Sequence, residues 1–314
     1  MKKYNSSSPL LITLSIFLFF PFLFLNAQRK LPYDSSYFTV YPNSVTARFY
    51  FSQKYISLNF PASGNVKDFQ YTPNAKLNMG IGATYHNFSL NLAYGFGFLN
   101  NDLDEKGKTK SLDFQLHLYR EKWVIDALAM FYKNLYITPQ GFAAVNNNSY
   151  YQRPDVKQDF IGLAAYRVMN SEKFSYRAAM IQNEWQKKSA GSLLFGGQAY
   201  YGILKADTSA LVPATEENNF KQAGIDKINF FSIGPGIGYA YTLVIEKHLY
   251  IMASLIGNID INFTTEEKEK GSSKENKTSV NPAGIYKAAI GYNSRAWDVS
   301  ANLAGNAMWF TGAS

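Results

Sequence analysis

The chain has 314 residues, no cysteine, a formal net charge of +8 and 16% aromatic residues, with charged residues at only 17%. Soluble domains usually carry about 25% charged residues, yet the mean hydropathy is negative, at -0.21. These values exclude a helical membrane protein, which needs repeated apolar runs of about 20 residues. They also exclude a disordered chain, which would be poor in aromatics, and a disulfide-stapled scaffold.

Lys2 and Lys3 open the chain, an apolar run follows from Leu10 to Leu25, and Ala27 precedes Gln28. A basic start, an apolar stretch and a small residue at the cut are the parts of a secretory signal peptide. The run falls short of the roughly 20 residues of a spanning helix, and Pro21 disturbs its last turn. The expected organisation is a cleaved signal peptide over 1–27, a lead-in over 28–44 and a single β-barrel domain over 45–314. With no cysteine after the run, a lipid-anchored lipoprotein is excluded. The modest positive charge does not point to nucleic acid, which an exported protein rarely meets.

The barrel expectation comes from strand-period alternation. Val45 to Ser52 reads as an opening strand, and Tyr55 to Phe60 either extends it or adds another. In the next arm Leu77, Met79, Ile81, Ala83 and Tyr85 alternate with Asn78, Gly80, Gly82, Thr84 and His86. After a turn at His86 and Asn87, Phe88, Leu90, Leu92, Tyr94, Phe96 and Phe98 alternate with Ser89, Asn91, Ala93, Gly95 and Gly97. Successive strand side chains point to opposite faces, so this is a hairpin with one apolar and one polar side. Leu112 to Leu118 and Trp123 to Tyr132 follow the pattern, as do Phe160 to Val168 and Phe174 to Ile181, and then Leu193 to Tyr201. Phe230 to Thr242, Leu249 to Phe263, Ile285 to Tyr292 and Trp297 to Met308 complete a set of about twelve arms. Between Gln182 and Ile228 there is one arm. Either a strand hides in 205–226, or Asn183 to Ala190 does something other than cap a hairpin.

Short connections near residues 86, 121, 171, 246 and 294 alternate with longer polar ones at 61–75, 99–110, 133–157, 204–226 and 264–282. Outer-membrane barrels sort their loops this way, with short periplasmic turns and longer extracellular loops. The fold class expected is therefore all-β, an antiparallel up-and-down outer-membrane β-barrel of about 12 strands. Because such chains usually finish on a strand and this one ends at Thr311-Gly312-Ala313-Ser314, its closing C-terminal strand is expected to be lacking. Glu266 to Lys277, alternating acid and base around Gly271, Ser272 and Ser273, is expected to be a mobile loop.

Several stretches resemble a family of Bacteroidetes envelope proteins filed as Domain of Unknown Function 4421. They are Tyr33-Asp34-Ser35-Ser36-Tyr37, Ala47-Arg48-Phe49-Tyr50, Phe174-Ser175-Tyr176-Arg177 and Gln186-Lys187-Lys188-Ser189-Ala190-Gly191-Ser192. The resemblance covers most of the chain after the leader. It implies a β-barrel-like envelope protein and carries no activity.

Chemistry-bearing residues are few. His86 and His248 lie at turns, while His117 shares the polar face of its arm with Asp113. A His–Asp pair could orient a base, but no G-x-S-x-G nucleophile motif accompanies it, so a solvated hydrogen bond is the reading preferred. Gly234, Gly236 and Gly238 alternate within a strand around Pro235 and lack the strand–turn–helix of a phosphate loop. They read as a bare strip that another backbone or a plug segment approaches. Lys187 and Lys188, beside Glu184, Trp185 and Gln186, read as a solvated loop, with an anion-attracting rim as the functional alternative. No catalytic, cofactor or metal residue is assigned. The expected function is a non-enzymatic outer-membrane barrel: a small channel, a ligand-binding barrel or an envelope-structural barrel. Its expected partners are outer-membrane lipid and, during insertion, the barrel-assembly machinery. The alternatives are a lipid-acting membrane enzyme and a secreted soluble barrel.

Overall fold

The computed structural model describes residues 33–41, 45–63, 66–85, 88–100, 103–268 and 271–313. The expected signal peptide and the expected turn at His86 and Asn87 lie outside the described residues. The unit Asp34–Ser314 is nearly all β. Its strands are β1 (Phe38–Val40), β2 (Val45–Ser52), β3 (Leu58–Phe60), β4 (Phe69–Pro73), β5 (Asn78–Tyr85), β6 (Phe88–Tyr94), β7 (Lys110–Tyr119) and β8 (Trp123–Thr138). They continue as β9 (Tyr151–Val168), β10 (Glu184–Gln186), β11 (Ala190–Ala206), β12 (Ile225–Ile245), β13 (Leu249–Lys268), β14 (Ser273–Asn293) and β15 (Asp298–Met308).

Every described pairing is antiparallel. A ten-stranded sheet runs β15-β14-β13-β12-β11-β9-β8-β4-β3, with β7 also on β8, and it curls into a half-barrel. β7 and β4 share one edge of β8 end to end: β7 pairs with residues 124–133 and β4 with 135–138. A separate sheet has the order β2-β5-β6, and β1 pairs with β10. The all-β antiparallel expectation holds in this curled sheet, while the described ladders do not by themselves close into one up-and-down barrel of about 12 strands. Among the described residues no ladder joins β2 to β15 or β6 to β7, and the β3–β4 hairpin breaks sequence order by joining β8.

The alternation is inverted relative to a water-soluble sheet. Along β13, Leu249, Ile251, Leu255, Ile259, Ile261 and Phe263 are exposed, with Leu255 at 68%. Their neighbours Ser254, Asn258, Asp260, Asn262 and Thr264 are buried. Leaving such an apolar row in water would forgo about 1.5–3 kcal/mol per side chain. The same inversion marks β12, where Ile233, Ile237, Tyr239 and Tyr241 face out and Ser232 and Thr242 face in. On β5 and β6 the apolar Ile81, Tyr85, Leu92 and Tyr94 are exposed as expected. Asn91, expected inward, is exposed as well, since nothing in the three-stranded sheet covers it.

Two large apolar clusters and a smaller one of Phe160, Tyr200 and Phe230 fill the concave side. At the end bearing the short turns, Tyr119, Tyr166, Leu194, Tyr250, Met252 and Ile285 pack around Phe174, Tyr176 and Ala179. At the end bearing the 139–150 and 207–224 connections, Phe60, Phe69 and Tyr71 of β3 and β4 pack on Leu135, Leu211, Val212 and Phe220.

Three loop expectations change. Phe174 to Ile181 is not a strand: Tyr176–Met180 is a short helix capped by Ser175, whose side chain accepts from the Ala178 amide at 3.0 Å. Of the two alternatives for 183–226, the first segment is the unusual one. It forms β10, while no strand lies in 207–224 among the described residues. Within Glu266 to Lys277 the described residues are not a free loop, because β13 runs on to Lys268 and β14 begins at Ser273. There Glu267 takes Lys227 at 3.3 Å and Lys274 at 3.2 Å, so the alternating charges pair across strands.

Candidate functional site

Among the polar clusters that interrupt the apolar filling, three have a clear local origin. The first lies at the short-turn end. The β7–β8 register places His117 opposite Asp126, and His117 Nδ1 meets Asp126 Oδ1 at 2.6 Å. Asp113, on the same face as His117, is not its partner, which corrects the pairing expected from spacing. Tyr119 donates to Asp126 Oδ1 at 3.0 Å, and Lys287 from β14 bonds Asp126 Oδ2 and the Tyr119 hydroxyl, the latter at 2.9 Å. The ammonium also sits over the rings of Tyr119 and Tyr176, at 4.8 and 5.5 Å. Ser254 stands opposite Lys287 in the β13–β14 ladder.

The second cluster is the plug. Residues 169–189 should be a hairpin turn between β9 and β11, which pair directly. Instead they fold into the concave side. Ser175 donates to Glu184 Oε2 at 2.5 Å, and Arg177 pairs with Glu184 Oε1 at 3.3 Å. Burial pushes the Glu184 carboxyl above its usual range, against the opposing pull of Arg177 and Ser175. The wall holds the plug in turn: Asn293 donates to the Glu184 carbonyl at 2.9 Å, and Tyr250 to that of Ala179 at 3.2 Å. Arg48 of β2 and Asn302 of β15 reach the adjacent carbonyls of Ile181 and Met180, both at 3.3 Å.

The stretches that carry the family resemblance converge here. The Lys187 and Lys188 amides donate to the Tyr37 carbonyl, at 2.7 and 3.2 Å, and the Asp34 amide to that of Glu172 at 2.8 Å. Lys187 Nζ bonds the Ser35 carbonyl, and Lys188 Nζ bonds Ser36 Oγ at 3.2 Å. These lysines tie the N-terminal segment to the plug. Beside them Trp185, His248, Tyr292 and Trp297 stack in a row, with ring centroids 5.0, 5.2 and 4.6 Å apart.

The third cluster lies on the glycine strip. A Cβ at Gly234 would overlap Asp260 Oδ1 and the Ile259 carbonyl, and one at Gly236 the Asn258 amide oxygen. The close approach expected there is thus made by β13, with no plug segment involved. Gln198 and Ser232 donate to Asp260 Oδ2 at 2.7 and 2.8 Å, and Tyr166 to Asn258 Oδ1 at 2.7 Å.

Sequence reasoning missed Asp126, Lys287 and Asp260. Each is a lone charge inside an otherwise apolar or neutral arm, and that isolation was the available signal. On the outer wall, Gln70, Thr72 and Thr138 line an open cleft of about 380 Å³ with Tyr55 and Lys106. No group of three His, Cys, Asp or Glu suited to a metal occurs among the described residues.

A family model described as Domain of unknown function (DUF4421) matches residues 32–309. No curated protein and no solved structure matches significantly. The match takes in the strands, the plug and the N-terminal segment tied to it, and the chain belongs to the DUF4421 family.

Proposed function

We propose that the protein is an exported, non-enzymatic outer-membrane β-barrel with a filled interior. It serves as an envelope-structural or ligand-holding barrel and not as an open pore. The observation that carries this reading is the inverted alternation of β12 and β13, apolar outward and polar inward, over strands of 21 and 20 residues. A tilted transmembrane strand needs about 9–11 residues, so both can cross a bilayer and project beyond it. The basic leader followed by an apolar run supports export.

In this reading the three-stranded sheet completes the wall between β15 and β7. Arg48 and Asn302 support that arrangement, since β2 and β15 bind neighbouring carbonyls of the same plug. Closure would also satisfy strand edges that hydrocarbon cannot hydrate. The apolar clusters at both ends argue against a channel.

Fractionation of cells expressing the full chain tests the location. Recovery with outer membranes and heat-modifiable migration on gels is the expected result. Recovery of intact protein in the soluble periplasm would favour the secreted soluble barrel. In planar bilayers the purified protein should show no steady conductance.

A further inference from the structure

Several charges buried in the half-barrel are matched by opposite ones. Lys287 meets Asp126, Arg153 meets Asp155, Arg177 meets Glu184, and Glu267 meets Lys227 and Lys274. Asp260 differs. It is 1% exposed, and its hydrogen-bond donors among the described residues are neutral, the Gln198 amide and the Ser232 hydroxyl, both on Oδ2. Its Oδ1 has no hydrogen-bond partner, and neither has Oε1 of the same Gln198.

Two unpartnered oxygens this deep in the interior call for a partner, since buried polar atoms are normally satisfied. An ionised carboxylate in a dry interior is strongly disfavoured without a counter-charge. The atoms of Asp260, Gln198 and Ser232 available to receive one are oxygens, a carboxylate oxygen, an amide carbonyl and a hydroxyl, while the unpartnered Asn258 amide nitrogen of the same cluster is a donor and no cation ligand. Oxygen donors select hard cations over softer transition metals. One carboxylate balances one positive charge, which favours a monovalent ion over calcium or magnesium. The bare strip at Gly234 and Gly236 is what lets Asp260 and Asn258 lie across β12 at this depth. We propose that Asp260, Gln198 and Ser232 form a binding site for a monovalent alkali cation, sodium or potassium, inside the half-barrel. The site depends on the interior alone and not on whether the outer face meets lipid.

The test is unfolding of the purified full-length protein in detergent, at constant ionic strength, in sodium, potassium or choline chloride. The expected result is a midpoint that rises saturably with sodium or potassium but not with choline. Asp260→Asn should abolish that rise. Equal midpoints in the three salts would overturn the proposal. So would a midpoint that ignores the cation but falls as pH is raised, with the fall removed in Asp260→Asn, because that pattern belongs to a protonated carboxyl. Should Asp260→Asn not fold, the wild-type protein crystallised with thallium(I) in place of potassium decides. An anomalous peak bonded to Asp260 Oδ1 and Gln198 Oε1 supports the site, and its absence from that position refutes it. Fractionation bears on the membrane reading separately and leaves this assay usable.

Discussion

Arg177 and Glu184 form an ion pair at 3.3 Å with side chains 12% and 4% exposed, and it lies inside a segment where a hairpin turn would suffice. Ser175 links the two ends of that segment, donating to Glu184 while capping the helix that carries Arg177. The plug is therefore held by its own polar core as well as by the wall.

Glu184 should make stability pH-dependent in a defined direction. Its carboxyl is raised on folding from an ordinary value of 4.5, with burial as the leading cause. The folded state thus binds the proton more tightly. The contribution is full below the unfolded value and declines as pH rises through the folded one. Glu184→Gln should remove that part of the slope in urea unfolding across the acidic range. Glu184→Ala leaves Arg177 without its buried partner and should cost about 3–5 kcal/mol. Unchanged slope in Glu184→Gln would assign the pH dependence elsewhere.

The outward face makes a contrast that separates lipid from water. Leu255→Arg should cost about 2–4 kcal/mol for folding into lipid vesicles if it lies near the bilayer midplane. On a water-facing surface the same change should stay within about 0.5 kcal/mol. Leu92→Arg should behave similarly, since Leu92 is also exposed. Vesicle-refolding titrations of the two variants measure this, and near-neutral values at both positions would place the face in water.

Gly236 and Gly257 should respond oppositely to one added methyl group. At Gly236 the new Cβ would run into Asn258, whereas at Gly257 it meets nothing within 4 Å. Gly236→Ala should cost about 1–3 kcal/mol through overpacking, and Gly257→Ala should be close to neutral. Denaturant midpoints of the pair, with matched slopes, check it.

Period-two patterning made the long arms legible before any coordinates. β12, β13 and β14 contain the arms read from Phe230, Leu249 and Ile285, and each exposes an apolar row, Ile233 to Tyr241 on β12, Leu249 to Phe263 on β13, and Tyr286 and Ile290 on β14. The plug was not legible, because Phe174 to Ile181 alternates loosely enough to read as a strand. Its helix has only five residues, Tyr176–Met180, too short for a 3.6-residue period to show. The β13–β14 extension was misread for a different reason. Charge alternation over Glu266 to Lys277 suggests solvation in a single chain, and only the register reveals cross-strand partners such as Glu267 and Lys274. Asp126 was passed over because spacing along one strand favoured Asp113 for His117. The true neighbour sits across the ladder, where sequence distance carries no information.

The Asp126–Lys287 pair gives the last prediction. Lys287 is 6% exposed on its side chain and Asp126 18%, so each is costly to leave alone. Removing one partner of a buried pair typically costs about 3–5 kcal/mol, whereas replacing both with apolar groups of similar volume is often neutral. Lys287→Met and Asp126→Leu should each be strongly destabilising, and the double variant should recover most of the loss. Lys287 also rests on the Tyr176 ring of the plug helix at 5.5 Å, so Lys287→Met should loosen the plug locally. Hydrogen exchange at residues 176–180 would report that loosening, while exchange in β12 and β13 stays protected. A double variant as unstable as the sum of the two singles would mean that the ions act independently. In that case Tyr119 and His117 hold Asp126 without help from Lys287.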